Sequence, residues 1–200
     1  MPELFIPSGT GESDFTEKKS RFISRAEKVD SADKARDIVK QLKEKHPKAR
    51  HVVWAYVIGK DASLKGMSDD GEPRGTGGRP VINHITGGNL TNTLVTVVRY
   101  FGGIKLGTGP LASAYGRAAE EALEKMPKKR LVESEILKIK ASFSYFSLLE
   151  RFIKEKEAEV LKKEFDPEPV IYVNVPLLNI EGFISGVTDI SHGKVIIERR

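Results

Sequence analysis

Apolar residues recur with strand-like spacing through the first part of the chain. The runs HVVWAYVIG (51–59) and TLVTVVRYF (93–101) are short, apolar and rich in β-forming residues, so each predicts a central strand. The stretch FTEKKSRFISRAEKV (15–29) alternates apolar and polar residues, which predicts one edge strand. Trp54, the only tryptophan, is then expected to belong to the core of a sheet.

Other segments have the 3.6-residue period of a helix. The residues after Ser31, in SADKARDIVKQLKEK, form an apolar face at helical spacing that ends before Pro47, so they predict a helix. A second helix is predicted from Pro110 to Lys125, where four alanines on or near the apolar face allow close packing on a sheet. The residues VINHITGG after Pro80 predict a short helix that is ended by its two glycines.

The pattern changes at MPKKR (126–130), and we place a domain boundary there, between domains of residues 1–130 and 131–200. The elements predicted beyond it are a strand (134–143), a helix (145–156), two strands (158–163 and 170–175), a helix (177–190) and a strand (194–198). This βαββαβ order is that of the ferredoxin-like split βαβ. Strands and helices in both domains predict the α+β class.

Composition narrows the function classes. Hydrophobic content of 39% and charged content of 30% are typical of an ordinary soluble globular protein. No apolar run approaches the ~20 residues that span a bilayer, so no membrane partner is expected. The opening MPELFIPSGTGE lacks the features of a signal peptide, which favours a cytoplasmic location. The absence of cysteine excludes disulfides, thiolate nucleophiles and cysteine metal sites.

The net positive charge belongs to the first domain. Residues 1–130 carry 23 basic and 16 acidic residues, net +7, whereas residues 131–200 carry 10 and 12, net −2. This distribution favours a polyanionic partner for the first domain. Solvated lysines and arginines that only keep the protein soluble explain it equally well.

Glycine is concentrated between Ser68 and Leu123, which contain 11 of the 18 glycines. Such density indicates backbone that turns sharply or approaches another group closely. Three pieces follow one another there: the segment SDDGEPRGTGGRP, which predicts an ordered turn, a strand ending in RYFGG, and GTGP at the start of a helix. We expect these pieces to form one shaped surface.

The turn carries three carboxylates, Asp69, Asp70 and Glu72. Their oxygens suit Mg²⁺ or Ca²⁺, but three carboxylates do not complete a coordination shell, so no metal site is predicted. Instead, we expect Asp69 or Asp70 to accept hydrogen bonds from local amides and Glu72 to pair with Arg74 or Arg79.

Arg99 lies at the end of an apolar strand, where a charge needs a partner. A carboxylate of the 69–72 turn and an external phosphate are the two candidates. Gly107-Thr108-Gly109-Pro110 then begins a helix, whose N-terminus favours an anion, with Lys105 nearby. A dinucleotide fold is not favoured, because Pro110 removes an amide donor and the later chain does not continue a doubly wound pattern. No P-loop lysine follows Gly107 at the required offset.

Catalytic chemistry has little support in the sequence. The four histidines show no metal-ligand spacing; they are His46, His51, His84 and His192. Ser68, His84 and Asp69 remain open as a nucleophile–base group, because only geometry defines such a group. No catalytic residue and no cofactor are therefore predicted.

The segments SDDGEPRGTGGRP, VVRYFGGIKLGTG and LASAYGRAAEEAL occur in this order and resemble the signature of the Impact/YigZ family. The resemblance implies a βαβ-rich N-terminal domain similar to that of ribosomal proteins and of domain IV of elongation factor G. It also implies a C-terminal domain similar to the ferredoxin-like domain V of that factor. Eukaryotic relatives restrain the general-control translation kinase by competing for its activator. The chain departs from the usual pattern at Pro110, commonly glycine, and at Ser113, commonly arginine.

The resemblance implies a non-catalytic, translation-associated regulator that binds the ribosome, RNA or a translation-related protein. We expect the basic glycine-rich surface to bind this partner through Arg74, Arg79, Arg99, Lys105, Arg117, Gly102, Gly103, Gly107 and Gly109. Asp69, Asp70 and Glu72 are expected to order that surface. The alternative is an enzyme that acts on a phosphorylated or peptide-like small molecule in a cleft between residues 69–72 and 102–109.

Overall fold

The computed structural model describes residues 3–156 and 158–200, which divide into two compact units, one ending at Leu131 and the other beginning at Val132. The described part of the first unit contains β1 (Phe5–Pro7), β2 (Gly11–Glu17), β3 (Ser20–Lys28), α1 (Ala32–Lys45), β4 (His51–Ile58), β5 (Leu64–Ser68), α2 (Gly78–Gly87), β6 (Thr93–Tyr100), α3 (Thr108–Lys125) and β7 (Lys128–Arg130). The described part of the second unit contains β8 (Ser134–Lys140), α4 (Phe143–Glu155), β9 (Glu159–Phe165), β10 (Pro169–Pro176), a 3₁₀ turn (Leu177–Asn179), α5 (Ile180–Ile190) and β11 (Ile196–Arg199). None of the helices described has both the length and the apolar character needed to cross a membrane.

Besides the antiparallel pair of β1 and β7, the first unit has a five-stranded antiparallel sheet with the strand order β2-β3-β6-β4-β5. Helices cover both of its faces. Val53, Ala55 and Val57 of β4 pack with buried residues of α2 and α3, whereas Val52 and Tyr56 belong to the clusters that include α1. This double coverage explains why β4 and β6 read as continuous apolar runs instead of alternating ones.

Helix α3 approaches the sheet closely because its buried face is built from small side chains. Ala114, Ala118, Ala119 and Ala122 are at most 1% exposed. The hydroxyl of Ser24 in β3 donates to the carbonyl oxygen of Ala118 at 2.7 Å, which ties the helix to the strand. The position of α3 is important for the site because the helix begins at Thr108, directly after residues 102–107, which we call the glycine loop.

The prediction of one edge strand over residues 15–29 is wrong. The segment forms two strands, β2 and β3, joined at Lys18 and Lys19, which both have positive φ angles (44° and 66°). Two such residues make the tight turn of a hairpin, a role that Asn-Gly sequences usually fill, so Lys18-Lys19 is not recognisable as a turn from the residue types. β3 lies inside the sheet, between β2 and β6, and β2 is the edge strand.

The second unit has the predicted βαββαβ order. Its antiparallel sheet has the strand order β11-β8-β10-β9, and α4 and α5 pack on it around Leu137, Ile139, Ile171, Val173 and Phe183. The α+β class is confirmed. The bounds of several elements differ from those predicted, and the segment 177–190 begins with a 3₁₀ turn before α5.

Replacing Gly11 with alanine is expected to destabilise the first unit by about 1–3 kcal/mol. The new Cβ would lie 2.0 Å from the carbonyl oxygen of Ala122 and 2.5 Å from the amide nitrogen of Met126, and side-chain rotation cannot move these backbone atoms. Urea unfolding followed by the fluorescence of Trp54 measures the change, because this single tryptophan lies in β4.

The matched control is Gly87→Ala at the end of α2, where an added Cβ meets nothing within 4 Å. Its unfolding midpoint is expected to stay near that of the wild type. Equal midpoints for the Gly11 and Gly87 variants would contradict the close approach of β2 and α3.

Candidate functional site

The turn after β5 and the loop after β6 meet around a cavity of about 380 Å³. Glu72 and Pro73 line it from the turn, and Lys105, Leu106 and Gly107 line it from the loop. The other lining residues belong to the start of β4, the end of β6 and the start of α3; they are Arg50, His51, Arg99, Phe101, Thr108 and Leu111. All three glycine-rich pieces thus contribute residues to one cavity beside the N-terminus of α3.

A buried ion pair forms one wall of this cavity. The guanidinium of Arg99, 5% exposed, donates from Nη1 to Oε1 of Glu72 at 2.7 Å, and the hydroxyl of Tyr115 donates to the same oxygen at 2.7 Å. A second nitrogen, Nη2, lies 3.4 Å from the hydroxyl of Ser20. Within the described residues, Nε of Arg99 is buried and has no acceptor.

Aromatic rings enclose the Arg99 guanidinium, whose central carbon lies 5.5 Å from the ring centroid of Phe22 and 5.6 Å from that of Phe101. Desolvation by burial and the hydrogen bond to the Glu72 carboxylate both raise the pKa of Tyr115. Tyr115 therefore stays protonated and remains a donor to Glu72 over the physiological pH range.

Asp69 orders the backbone of the turn. Its Oδ1 accepts from the amides of Gly77 and Gly78, each at 2.9 Å, and its Oδ2 accepts from the amide of Gly75 at 2.8 Å. Burial alone would raise the pKa of Asp69, but the three amide donors and the nearby positive charge of Arg74 outweigh it, so the pKa lies below its usual value.

Asp70 connects the turn to β4 and α1. Its Oδ2 accepts from the amide of Val52 at 2.7 Å, and its Oδ1 accepts from the ammonium group of Lys43. The carbonyl oxygen of Asp70 lies 2.7 Å from Nδ1 of His51. A carbonyl oxygen only accepts, so Nδ1 carries a proton, and Nε2 lies 4.0 Å from Oε2 of Glu72.

Arg99 does not point outward as a binding side chain, because Glu72 holds it in the interior. The expected pairing of Glu72 with Arg74 or Arg79 is wrong for the same reason. Arg74 and Arg79 are exposed and do not line the cavity. Of the basic residues predicted for the surface, Lys105 is the exposed one that lines the cavity.

Arg117 lies outside the cavity lining. Its Nε donates to Oε1 of Glu121 at 2.7 Å, and its guanidinium lies 4.2 Å from the ring centroid of Phe15. These two contacts hold the side chain against β2, away from the glycine loop. The expectation that Arg117 takes part in the binding surface therefore has no support in this geometry.

The predicted glycines have different roles in the loop. Gly102 lies against the backbone of Lys19, since an added Cβ would be 2.0 Å from its carbonyl carbon. Gly103 and Gly107 have φ angles of +86° and +87°, which other residues rarely adopt. Gly109, in the first turn of α3, is exposed and does not line the cavity.

The sequence interpretation missed Arg50 as a site residue and treated His51 only as one of four scattered histidines. Both line the cavity, and the Arg50 guanidinium lies 5.8 Å from the ring centroid of Phe101. His51 pairs in register with Arg99 across β4 and β6. This strand register cannot be read from the sequence, and it brings the start of β4 to the cavity.

The exposed cations near the cavity have few internal partners. Among the described residues, Lys19, Arg50 and Lys105 have no carboxylate within ion-pair distance; we call these three residues the basic rim. By contrast, Arg21 and Lys43 are paired with Asp14 and Asp70. The basic rim therefore carries charge that an external anion can neutralise.

Replacing Glu72 with glutamine is expected to destabilise the first unit by about 3–5 kcal/mol, because it leaves the Arg99 guanidinium buried without a counter-charge. Urea unfolding followed by Trp54 fluorescence measures the loss. In the double variant with Arg99→Met, no charge is left buried, and part of the stability is expected to return. A single variant as stable as the wild type would show that the pair is unimportant for folding.

The stabilisation by Asp69 is expected to depend on pH with a defined sign. A folded-state pKa below the unfolded value means that the contribution is complete above the unfolded pKa of ~3.9 and disappears as the pH falls through the lower folded value. The difference in unfolding free energy between wild type and Asp69→Asn should then shrink below about pH 4. The control is Asp37→Asn on the exposed face of α1; an equal pH dependence in both variants would contradict the role of Asp69.

Comparison with known proteins places the chain in a family. The model of the Impact N-terminal domain matches residues 18–123. An IMPACT family member of Haemophilus influenzae is 34% identical over 99% of this chain and 97% of its own length, and the IMPACT family member YigZ of Escherichia coli is 31% identical over 89% and 88%. A crystal structure of a hypothetical protein matches with a TM-score of 0.70 at 29% identity, covering 98% of this chain and 97% of that one. The chain therefore belongs to the IMPACT family.

Proposed function

We propose that this protein is a translation-associated regulator that acts by binding RNA, free or within the ribosome, at the cavity and its basic rim. The resemblance to the family supplies the link to translation. The observation that carries the proposal is that Arg50, Lys105 and the exposed ring of Phe101 line one cavity, with no carboxylate partner for either cation among the described residues.

The basic rim provides the contacts that an RNA backbone needs. Lysine and arginine side chains bind phosphate oxygens and position a protein on a nucleic acid without reading its sequence. Lys19 reaches the same loop, because its backbone lies against Gly102, next to Phe101. Arg74 directly follows the cavity residue Pro73 and is exposed, so it extends this basic surface.

Phe101 offers a surface for an unpaired base. Its side chain is 39% exposed although it is large and apolar, and two guanidiniums, those of Arg50 and Arg99, lie within 6 Å of its ring centroid. Single-stranded RNA is bound mainly by such aromatic and arginine surfaces, on which bases stack. The arrangement favours single-stranded RNA over a protein partner. A protein partner would have to supply an acidic surface to neutralise the basic rim.

Alanine at Arg50 or Lys105 is expected to weaken binding of a single-stranded RNA about tenfold, which corresponds to ~1.4 kcal/mol. Each substitution should also reduce the slope of log affinity against log salt by about 0.7, the value for one lost phosphate contact on a single strand. Fluorescence anisotropy at graded salt measures both quantities, and co-sedimentation with ribosomes tests the same variants on the assembled particle.

Lys65→Ala is the matched control. Lys65 is exposed on β5 and pairs with Val57, six residues along β4 from His51, or about 20 Å at ~3.3 Å per residue. It should bind RNA as the wild type does. Binding that does not depend on salt, or an equal loss of affinity in all three variants, would contradict RNA binding at this cavity. Ribosome association that survives ribonuclease and depends on the basic rim would point to a protein partner.

A second candidate is an enzyme that acts on a phosphorylated small molecule. The observation that favours it is His51, whose Nδ1 is fixed as a donor to Asp70 while the ring lines the cavity beside the buried Glu72 carboxylate. A histidine with a fixed tautomer is suited to proton transfer. Turnover of a phosphorylated compound that disappears in His51→Gln would favour this candidate over binding alone.

A further inference from the structure

We infer that the cavity is a subsite for a phosphate monoester, such as the 5′-phosphate at the end of an RNA strand, in preference to an internal phosphodiester. The inference rests on the proposed RNA-binding function and specifies which part of the RNA enters the cavity. Three properties of the cavity lead to it: the charge of its lining, the donors that it offers, and its size.

The lining has an excess of two positive charges. Arg50, Arg99 and Lys105 are cationic and Glu72 is the acidic residue that lines the cavity, which gives +3 against −1 with His51 counted as neutral. An internal phosphodiester carries one negative charge. A phosphate monoester carries about −1.5 to −2 at pH 7, because its second pKa is ~6. The monoester therefore matches the lining more closely than the diester does.

Backbone donors lie at the same edge of the cavity. The 18-residue helix α3 begins at Thr108 after Gly107, which offers no side-chain cap. The amide of Thr108, which lines the cavity, belongs to the first turn, where amides have no acceptor within a helix, while Pro110 has no amide hydrogen. Gly107 lines the cavity and Lys105 lies two residues before it, so the helix N-terminus and a lysine charge act on one region.

Arg99 is the second and independent indication of an anion. It is 5% exposed and lines the cavity, yet its Nε has no acceptor among the described residues. Its Nη2 reaches Ser20 only at 3.4 Å. A buried guanidinium with an unused donor costs free energy, and negative charge brought into the cavity beside Arg99 would offset part of that cost.

The size of the cavity explains why an end group is preferred. Glu72 is 9% exposed and its carboxylate is paired with Arg99, so the free charge of the lining is that of Arg50 and Lys105. The volume of about 380 Å³ lies near the lower limit of small-molecule sites, ~300–1,000 Å³, and suits one terminal nucleotide. Phe101 at the edge is then placed to stack on the terminal base.

The test compares two forms of one single-stranded RNA oligonucleotide, one with a 5′-phosphate and one with a 5′-hydroxyl, both labelled at the 3′ end. The wild type is expected to bind the phosphorylated strand about tenfold more tightly, a difference of ~1.4 kcal/mol. In Lys105→Met this preference should fall below about twofold, whereas the exposed control Lys65→Met should retain it. Trp54 fluorescence confirms that both variants are folded.

The outcomes separate this inference from the proposed function. Equal binding of the two strands overturns the monoester subsite and leaves RNA binding intact. If neither strand binds, the proposed function fails, and titration of the wild type and of Lys105→Met with adenosine 5′-monophosphate then decides the inference alone. Binding of the mononucleotide that is lost in Lys105→Met supports the subsite and assigns it to small phosphorylated compounds, whereas no binding to the wild type overturns it. A preference unchanged in Lys105→Met places the recognition elsewhere and overturns the inference.

Discussion

The ion pair between Glu72 and Arg99 is the interaction on which the rest of the site depends. One carboxylate oxygen accepts from both Arg99 and Tyr115, so it joins the turn after β5, the last residues of β6 and the middle of α3. A charge buried without a partner costs several kcal/mol, and the pair removes that cost only in one arrangement of the three elements. The sheet and α3 thereby fix where the glycine-rich turn lies.

This internal pairing determines which charges remain available outside. Because Arg99 is neutralised by Glu72, it contributes to the cavity wall and has a single unused donor. The positive charge that a ligand would meet comes from the basic rim. Asp69 accepts hydrogen bonds from amides of the glycine-rich turn, and Asp70 accepts one from an amide of β4, so both carboxylates stabilise the turn. Such a site is preorganised: the acidic residues are occupied within the protein before any anion arrives.

Local patterns were readable from the sequence, whereas contacts across the sheet were readable only in part. The βαββαβ order follows from periodicity, and the hydrogen bonds of Asp69 follow from amides within nine residues of it. A carboxylate of the 69–72 turn was one of two expected partners of Arg99, and Glu72 is that partner. By contrast, the pairing of Glu72 with Arg99 and not with Arg74 requires knowing that β4 and β6 are neighbours. The same register brings Arg50 to Phe101, which no local signal indicated. The Lys18-Lys19 turn was missed because lysine seldom adopts positive φ.

A carboxylate inside a cationic cavity limits the positive charge of its lining. Without Glu72, the lining would carry the three charges of Arg50, Arg99 and Lys105. With Glu72 in place, the charge of Arg99 is balanced within the protein, and the exposed cations Arg50 and Lys105 supply the remaining charge. Complementary charge favours a specific partner more than it adds raw affinity. The residue that secures the fold thus also determines the net charge of the cavity lining.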